Sequence, residues 1–475
     1  MYHKNTHIHF VGIGGIGMSG IALILKQQGY IVSGCDADLS QPTIAQLENM
    51  GCTIHHHNNS PECNNISPDI VVYIPMYEHT IPAISIEIQR ARAQGKITVT
   101  RAQMLAELMR TKYGIAVTGS HGKTTTSALI AHLLLEAHYD PTLVVGGHLK
   151  NINSNAQIGT GDFFVAEADE SDRSFLEFNP TLAVITNIDI EHLETYKDLN
   201  DIKNTYLLFI KRVPFYGKII ACIDDEHTKA VIQEHNISAL TYGIEYPADV
   251  YAENIVLATT YSTFSVHQKN NPQQSVLVTL PIPGIHNVYN ALAAITVGLE
   301  INIDMETIAH CLSSFAGVDR RFSFHGTYKE AEVFDDYGHH PKEIEHILTV
   351  AHKRTKNNLI VVFQPHRYTR TQKLWSDFLM ALNSSHIGML IVTDIYSAGE
   401  APIETITSNR LVEELHSINP HLNVHYVPFE DTFEYIKHQI DLYIEPNDLI
   451  ILLGAGKMHL LAPQLTEKTD PLNLD

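Results

Sequence analysis

Two glycine-bearing turns restrict this chain more than any other feature of its sequence. Each follows a short apolar run and leads into a helical stretch. The first, Val11-Gly12-Ile13-Gly14-Gly15-Ile16-Gly17-Met18, contains G-x-G-x-x-G. Glycines there let the backbone approach a diphosphate, whose charge the helix N-terminus stabilises. Asp36 closes the next strand about where a ribose-binding acid would lie. The geometry serves a nicotinamide dinucleotide or any nucleoside diphosphate, and the bland alternative is glycines that only turn the chain. The second turn runs Gly119-Ser120-His121-Gly122-Lys123-Thr124-Thr125, between an apolar strand over 113–118 and a helix expected from Ser127 to Glu136. Successive backbone N–H groups can ring a phosphate, Lys123 can reach the β- and γ-phosphates, and the Thr124 hydroxyl can ligate magnesium. Val117 stands five residues before Gly122, so this is a shorter loop than G-x-x-x-x-G-K-[ST].

The surrounding pattern reads as parallel α/β sheet. Short apolar strand candidates at 7–11, 30–34, 69–73 and 98–100 alternate with helical stretches such as 18–28. A second segment adds strands at 113–118, 142–145, 163–166 and 182–186. It then becomes β-rich, with a hairpin expected over 260–279 around Lys269-Asn270-Asn271-Pro272. A third, with strands at 359–363, 389–393 and 449–453, looks doubly wound. A length of 475 residues fits roughly three domains. They are expected at 1–110 (Rossmann-like), 111–317 (mononucleotide-binding, with a mixed sheet and a β-rich part) and 318–475 (Rossmann-like again).

Charge narrows the partners. Against 32 Lys and Arg stand 53 Asp and Glu, a net −21, a field that repels nucleic acid and anionic bilayers. An anionic ligand must be drawn in by helix N-termini, single basic residues or cations. Cys35, Cys52, Cys63, Cys222 and Cys311 are scattered with no C-x-x-C pair, which reads as reduced thiols with neither a disulfide framework nor a structural zinc. The start, Met1 to His7, lacks the apolar run of a signal peptide, and no run approaches the length of a membrane span. A cytoplasmic protein without membrane insertion is expected, either monomer or homodimer.

Further clusters carry candidate chemistry. The strand Phe163-Phe164-Val165-Ala166 runs into Glu167-Ala168-Asp169-Glu170-Ser171-Asp172, hard oxygen ligands suited to magnesium or else a solvated acidic turn. A neighbouring strand ends in Asn187-Ile188-Asp189-Ile190-Glu191-His192, whose histidine is either a cation ligand or a surface imidazole. Gly284 to Ala291, Arg320-Arg321-Phe322, Asp335 to Pro341 and Gln364 to Thr371 supply amides, guanidinium groups and carboxylates able to hold adenine, phosphate and ribose. Arg367 and Arg370 are suited to clamping a carboxylate.

Taken in order, these residues resemble the ATP-dependent Mur ligases. The likeness extends over nearly the whole chain, from the turn at 11–18 through 119–126 and 167–172 to Asp336-Tyr337-Gly338-His339-His340-Pro341 and Gln364-Pro365-His366-Arg367-Tyr368-Thr369-Arg370-Thr371. It implies a UDP-binding N-terminal domain, a central P-loop ATPase domain and a C-terminal amino-acid-side domain. Within the family it points to the members that join L-alanine to UDP-N-acetylmuramate. By the family pattern Lys123 and Thr124 hold the γ-phosphate and magnesium, Glu167 and His192 coordinate magnesium, and Asn287 and Asn290 contact the adenine side. Arg321 and Asp336 complete the ATP site. The resemblance assigns Gly12, Gly14, Gly15, Gly17, Met18 and Asp36 to the UDP-sugar, and Tyr337, His339, Arg367 and Arg370 to the amino acid. Tyr206 stands roughly where other members carry a carbamylated lysine, and Ile74-Pro75-Met76-Tyr77 replaces their Ser-Ser-Ala-Ile.

The implied chemistry is an acyl transfer. A sugar carboxylate attacks the γ-phosphate of ATP, and the resulting acyl phosphate is taken by the amine of alanine. Lys123 and Mg2+ offset repulsion between the two anions. Two other readings compete. A nicotinamide-dependent dehydrogenase leaves the second turn unexplained, and a non-catalytic nucleotide binder leaves Lys123, Glu167 and His192 without a purpose.

Overall fold

The computed structural model describes residues 5–56, 63, 65–192, 195–384 and 386–466, the side chains of residues 77, 79 and 80 excepted. The extreme N-terminal residues 1–4 and the Tyr77 side chain, both of which entered the reading above, lie outside the described residues. Two compact units divide at Gly317/Val318.

The first unit holds two sheets. Strands β1 (His7–Val11), β2 (Ile31–Asp36), β3 (Thr53–His56), β4 (Ile70–Tyr73) and β5 (Ile97–Thr100) are ordered β3-β2-β1-β4-β5, every pair parallel. Strand β1 is buried along all but its first residue and β4 throughout, as strands covered on both faces must be. The sheet reverses direction of growth between β1 and β4, and the crevice at the carboxyl ends there receives the turn that follows β1.

The second sheet runs β15-β14-β13-β12-β11-β10-β6-β9-β7-β8. Its heart is β6 (Tyr113–Thr118), flanked in parallel by β9 (Phe163–Glu167) and β10 (Leu182–Ile185). Strand β7 (Thr142–Leu149) and its antiparallel partner β8 (Ser154–Gln157) close one edge. On the other, β11 (Lys218–Cys222) and β12 (Ala239–Gly243) precede an antiparallel meander of β13 (Val250–Leu257), β14 (Ser262–Gln268) and β15 (Asn271–Leu280). The β14–β15 hairpin turns at Lys269-Asn270, as the turn residues predict.

The expected boundary near 111 falls where the first sheet of a three-domain α/β fold gives way to the second. Helix Ile16–Gln27 packs against β7 and β8, and the Asn155 amide donates to the Ile16 carbonyl. A Cβ on Gly20 would stand 2.8 Å from Asn155 and 3.1 Å from Ala156, so glycine is what lets helix and strand approach. Ile21, Leu25, Val144 and Ala156 belong to one apolar cluster.

Strands β16 (Ser323–Tyr328), β17 (Ala331–Asp336), β18 (Leu359–Phe363), β19 (Met389–Val392), β20 (Val424–Tyr426) and β21 (Leu449–Leu453) form the second unit's sheet, in the order β16-β17-β21-β18-β19-β20. The β16–β17 pair is antiparallel and the rest parallel. Along β18, Leu359, Val361 and Phe363 enter one apolar core while Ile360 and Val362 enter another on the opposite face, the period of two that a doubly covered strand imposes. Among the described residues no helix is long and apolar enough to cross a membrane.

Candidate active site

The second turn follows the central strand of the second sheet, so the ends of both neighbouring strands converge on it. The helix after it begins at Lys123 and runs to Glu136, earlier than the expected Ser127, which puts Lys123 and Thr124 in its first turn. There the helix amides face outward and its dipole favours an anion. Gly119 (φ +138°) and Gly122 (φ +82°) adopt conformations that side chains rarely reach. A Cβ on Gly119 would lie 2.0 Å from the Thr186 hydroxyl, and one on Gly122 would lie 2.5 Å from the Asn290 side-chain oxygen.

The end of β10 laces the turn in place. The His121 amide donates to Asn187 Oδ1 at 2.8 Å and that of Asp189 to Ser120 Oγ at 2.8 Å, while Thr186 Oγ1 donates to the His121 carbonyl at 2.6 Å. Thr186 and Asn187 therefore shape the loop. Asn187 stands in a run that the sequence singles out for its histidine, and its use as a loop clasp shows only in the folded chain.

On the other side, β9 delivers its acids. Glu167 Oε2 accepts from Thr124 Oγ1 at 2.9 Å and from the Gly146 amide at 3.1 Å. Lys123 Nζ curls over the loop, donating to the Gly119 carbonyl (2.6 Å), the Ser120 carbonyl (3.2 Å) and Glu170 Oε1 (2.8 Å). Burial opposes a charge on this amine, but Glu170, Asp169 and Glu167 overcome it and hold the pKa well above that of an ordinary lysine. Asp169 is likewise opposed by burial, and Arg101, then Lys123, hold its carboxyl down at about 2. Lysine and acid are both ionised at neutral pH.

His192, in a left-handed conformation (φ +53°), places Nε2 3.4 Å from Glu170 Oε1 and 3.4 Å from Glu191 Oε2. Glu170, Glu191 and His192 thus form a group able to hold a cation. The family pattern pairs His192 with Glu167 and leaves Glu170 as one acid of a run. The fold makes Glu170, 2% exposed, the residue that touches both Lys123 and His192. Tyr206 is fully buried, edge-on to Phe175 at 5.3 Å between centroids, and burial pushes its hydroxyl pKa well up.

Asn287 and Asn290 open the helix Ile285–Glu300. Asn290 donates to Asn287 Oδ1 at 3.2 Å and accepts from Thr126 Oγ1 at 3.1 Å. They join the helix that follows the phosphate loop to the helix packed beside it.

At the first turn, Gly12 adopts φ +78°, and the Gly12 and Ile13 amides donate to the Cys35 carbonyl at 2.8 and 3.0 Å. Asp36 does not stand open. Its carboxylate accepts from the amides of Gly14 (2.8 Å) and Asp38 (3.0 Å) and from Gln41 (3.3 Å), so it braces the turn. A Cβ on Gly14 would stand 2.9 Å from Gln41 Nε2 and 3.0 Å from Asp36 Oδ2, so a side chain there would displace these two groups. Gly15 caps the helix, and a Cβ on Gly17 would sit 3.1 Å from Arg101. The Met18 side chain is 1% exposed in the core.

The second unit gathers its own candidates. Asp336 accepts from the amides of Phe322 (2.7 Å) and Gly338 (2.6 Å). Burial raises its carboxyl to about 7 against the pull of Arg321. Arg321 stands 5.6 Å from the centroid of the Tyr337 ring, and its neighbour Arg320 stands 4.8 Å away. Rings continue from Tyr337 to His339 (5.4 Å), His366 (5.7 Å) and Tyr396 (5.5 Å). Arg370 donates to His366 Nδ1 at 3.0 Å. Burial, then the positive charges nearby, lower the His366 pKa to about 2, so this imidazole stays neutral. Arg367 donates through Nε to Glu400 Oε1 at 2.6 Å.

Residues 7–113 match the family model described as Mur ligase family, catalytic domain; 117–298 match the Mur ligase middle domain; 320–456 match the Mur ligase glutamate ligase domain. The UDP-N-acetylmuramate–L-alanine ligase of Syntrophus aciditrophicus is 42% identical over 469 residues, 98% of this chain and 94% of that protein. That of Desulfotalea psychrophila is 44% identical over 461 residues, 96% and 97% of the two chains. Among solved structures, the UDP-N-acetylmuramate-alanine ligase of Thermotoga maritima superposes with a TM-score of 0.80 at 27% identity, covering 97% of this chain and 98% of that one.

Proposed function

Because the chain belongs to the Mur ligase family, we infer that it is an ATP-dependent ligase joining L-alanine to UDP-N-acetylmuramate in peptidoglycan synthesis. The observation that carries this reading is the loop after β6. A lysine, a first-turn threonine and two carboxylates meet there at the mouth of a helix.

The sugar carboxylate is a poor electrophile because its leaving group would be oxide. Attack of its oxygen on the γ-phosphorus expels ADP and leaves an acyl phosphate. The alanine amine then adds to the carbonyl carbon, and phosphate departs as the amide forms. We assign Lys123 to the γ-phosphate, where its permanent charge lowers the repulsion between nucleophile and phosphoryl group. The ion pair with Glu170 keeps the ammonium aimed across the loop until a phosphate competes for it. The backbone of Gly119 to Thr125 would cradle the phosphates, and Asn287 and Asn290 would face the adenine.

The oxygen donors Thr124 and Glu167, with the Glu170–Glu191–His192 group, fit a magnesium ion. Bound there, it would neutralise phosphate charge. For the UDP-sugar, the first helical turn after Gly15 supports diphosphate binding, with Asp36 keeping Gly14 in position. In the C-terminal unit we assign Arg321 and Asp336 to the nucleotide, and Tyr337, His339 and Arg370 to the amino acid. Arg367 braces Glu400 and acts on those groups indirectly. We assign the chain to the cytoplasm because the proposed reaction consumes ATP.

Phosphate release from ATP, magnesium and UDP-N-acetylmuramate, measured against a panel of amino acids, tests the reading. Turnover should require the sugar acid and L-alanine together. Absence of turnover with both present, or turnover independent of the sugar acid, overturns it.

A further inference from the structure

The cysteines that look scattered in sequence do not all stay apart. Strand β1 carries His9 and β2 carries Ser33 and Cys35, and the parallel register pairs His9 with Ser33 and Val11 with Cys35. All four side chains therefore point to one face of the N-terminal sheet. The helix Pro82–Ala93 covers that face and brings Glu87 onto it beside Ile84 and Ile88. Cys63, from the segment between β3 and β4, completes the group. Exposures are 3% for His9, 0% for Cys35, 7% for Cys63 and 7% for Glu87.

One imidazole nitrogen, two sulfurs and a carboxylate oxygen lie within 4.8 Å of one another. His9 Nε2 is 3.1 Å from Glu87 Oε1, and Cys35 Sγ is 3.5 Å from each Glu87 oxygen. A tetrahedral zinc with bonds of about 2.0–2.3 Å holds its ligands roughly 3.3–3.8 Å apart, so the group already has nearly the required size. The far side of the imidazole is also arranged. His9 Nδ1 lies 2.8 Å from Ser33 Oγ, the outer hydrogen bond that orients a metal-binding histidine and leaves Nε2 for the ion.

We propose that His9, Cys35, Cys63 and Glu87 bind a structural zinc-class cation inside the N-terminal sheet, remote in chemistry from the phosphate loop. Two thiols and an imidazole select a softer ion than magnesium. Four protein ligands leave no position open for catalysis. Each thiol gives up its proton to solvent as the ion enters, and the cation then offsets the charge of a carboxylate and two thiolates in an apolar enclosure of Val11, Val71, Tyr73, Ile84 and Ile88. The ion would cross-link β1, β2, the segment after β3 and the covering helix.

The test uses the full-length, tag-free chain, purified without chelator, with zinc measured by mass spectrometry of the acidified protein. About one equivalent per chain is expected, lost in Cys35→Ser and in Cys63→Ser. Ser33→Ala should lower zinc affinity by about 10- to 100-fold. Should a cysteine variant fail to fold, the wild-type chain loaded with cobalt answers alone, because tetrahedral thiolate coordination gives a sulfur-to-cobalt charge-transfer band and intense visible bands. A wild-type chain without zinc and without those bands overturns the site, as does a Cys35–Cys63 disulfide in the intact mass. Phosphate release reads the ligase assignment separately, so the two can fail independently.

Discussion

The Thr124 hydroxyl donates to the Glu167 carboxylate across 2.9 Å, joining the first turn of a helix to the end of β9. Two oxygens this close, one of them anionic, supply part of a hard-cation site. Glu167→Gln should therefore raise the magnesium concentration needed for half-maximal turnover, and Thr124→Ala should do the same less strongly. In the double variant the two effects should be less than additive, since both act on one ion. Titrations of phosphate release against magnesium measure this, and an unchanged requirement in Glu167→Gln removes it as a ligand.

Lys123 donates to two loop carbonyls and to Glu170. Removing its charge should affect the phosphoryl step, with UDP-sugar binding elsewhere preserved. Lys123→Ala is expected to lower turnover by about 10²–10³-fold or more. Calorimetric affinity for UDP-N-acetylmuramate should stay within about twofold of wild type. Turnover at the wild-type rate would exclude Lys123 from the mechanism.

Asp336 gives a pH signature. Its folded pKa, about 7, lies above the ordinary 3.8, so the folded chain holds this proton more tightly than the unfolded chain. The associated stability is complete below about pH 4 and is lost as pH rises through about 7. Asp336→Asn retains an acceptor for Phe322 or Gly338 but cannot ionise. Denaturant unfolding followed from pH 5 to 8 should show wild type losing stability relative to Asp336→Asn, and parallel curves would refute the assignment.

Arg367 and Glu400 are joined at 2.6 Å, and Thr369 donates to the same carboxylate through its amide (3.0 Å) and hydroxyl (2.7 Å). Arg367→Ala should cost about 1.5–3 kcal/mol of stability, and Glu400→Gln a comparable part of it. The Michaelis constant for alanine should respond more to Arg370→Ala than to either. An unshifted melting temperature in Arg367→Ala with a raised constant for alanine would return Arg367 to the amino acid.

Gly122 tests the loop backbone itself. At φ +82°, with a Cβ forced to 2.5 Å from Asn290, Gly122→Ala should cost about 1–3 kcal/mol of stability and weaken ATP binding. Asn290→Ala in the same chain should recover part of the stability by opening space. Lack of recovery would place the penalty in the backbone alone.

What the order of residues determines here is local. A phosphate turn needs its glycines, lysine and threonine within a few consecutive positions, between a strand and a helix, so Gly119 to Thr125 can be read directly. The strands β1, β6, β18 and β21 show as apolar runs for the same reason. Short or half-exposed strands such as β3, β8 and β20 carry no such run and go unseen.

Tertiary structure decides what depends on register between distant segments. It selects Glu170 over its acidic neighbours as the partner of both Lys123 and His192, and it uses Arg367 on Glu400 and Asp36 on the Gly14 amide. It also brings Cys35 and Cys63 to one buried face. Each of these pairings joins positions from 22 to 47 residues apart, the span from Gly14 to Asp36 and from Lys123 to Glu170. Side-chain chemistry alone cannot say which of several like groups will meet, because strand order and helix packing set the distance, and distance sets the interaction energy.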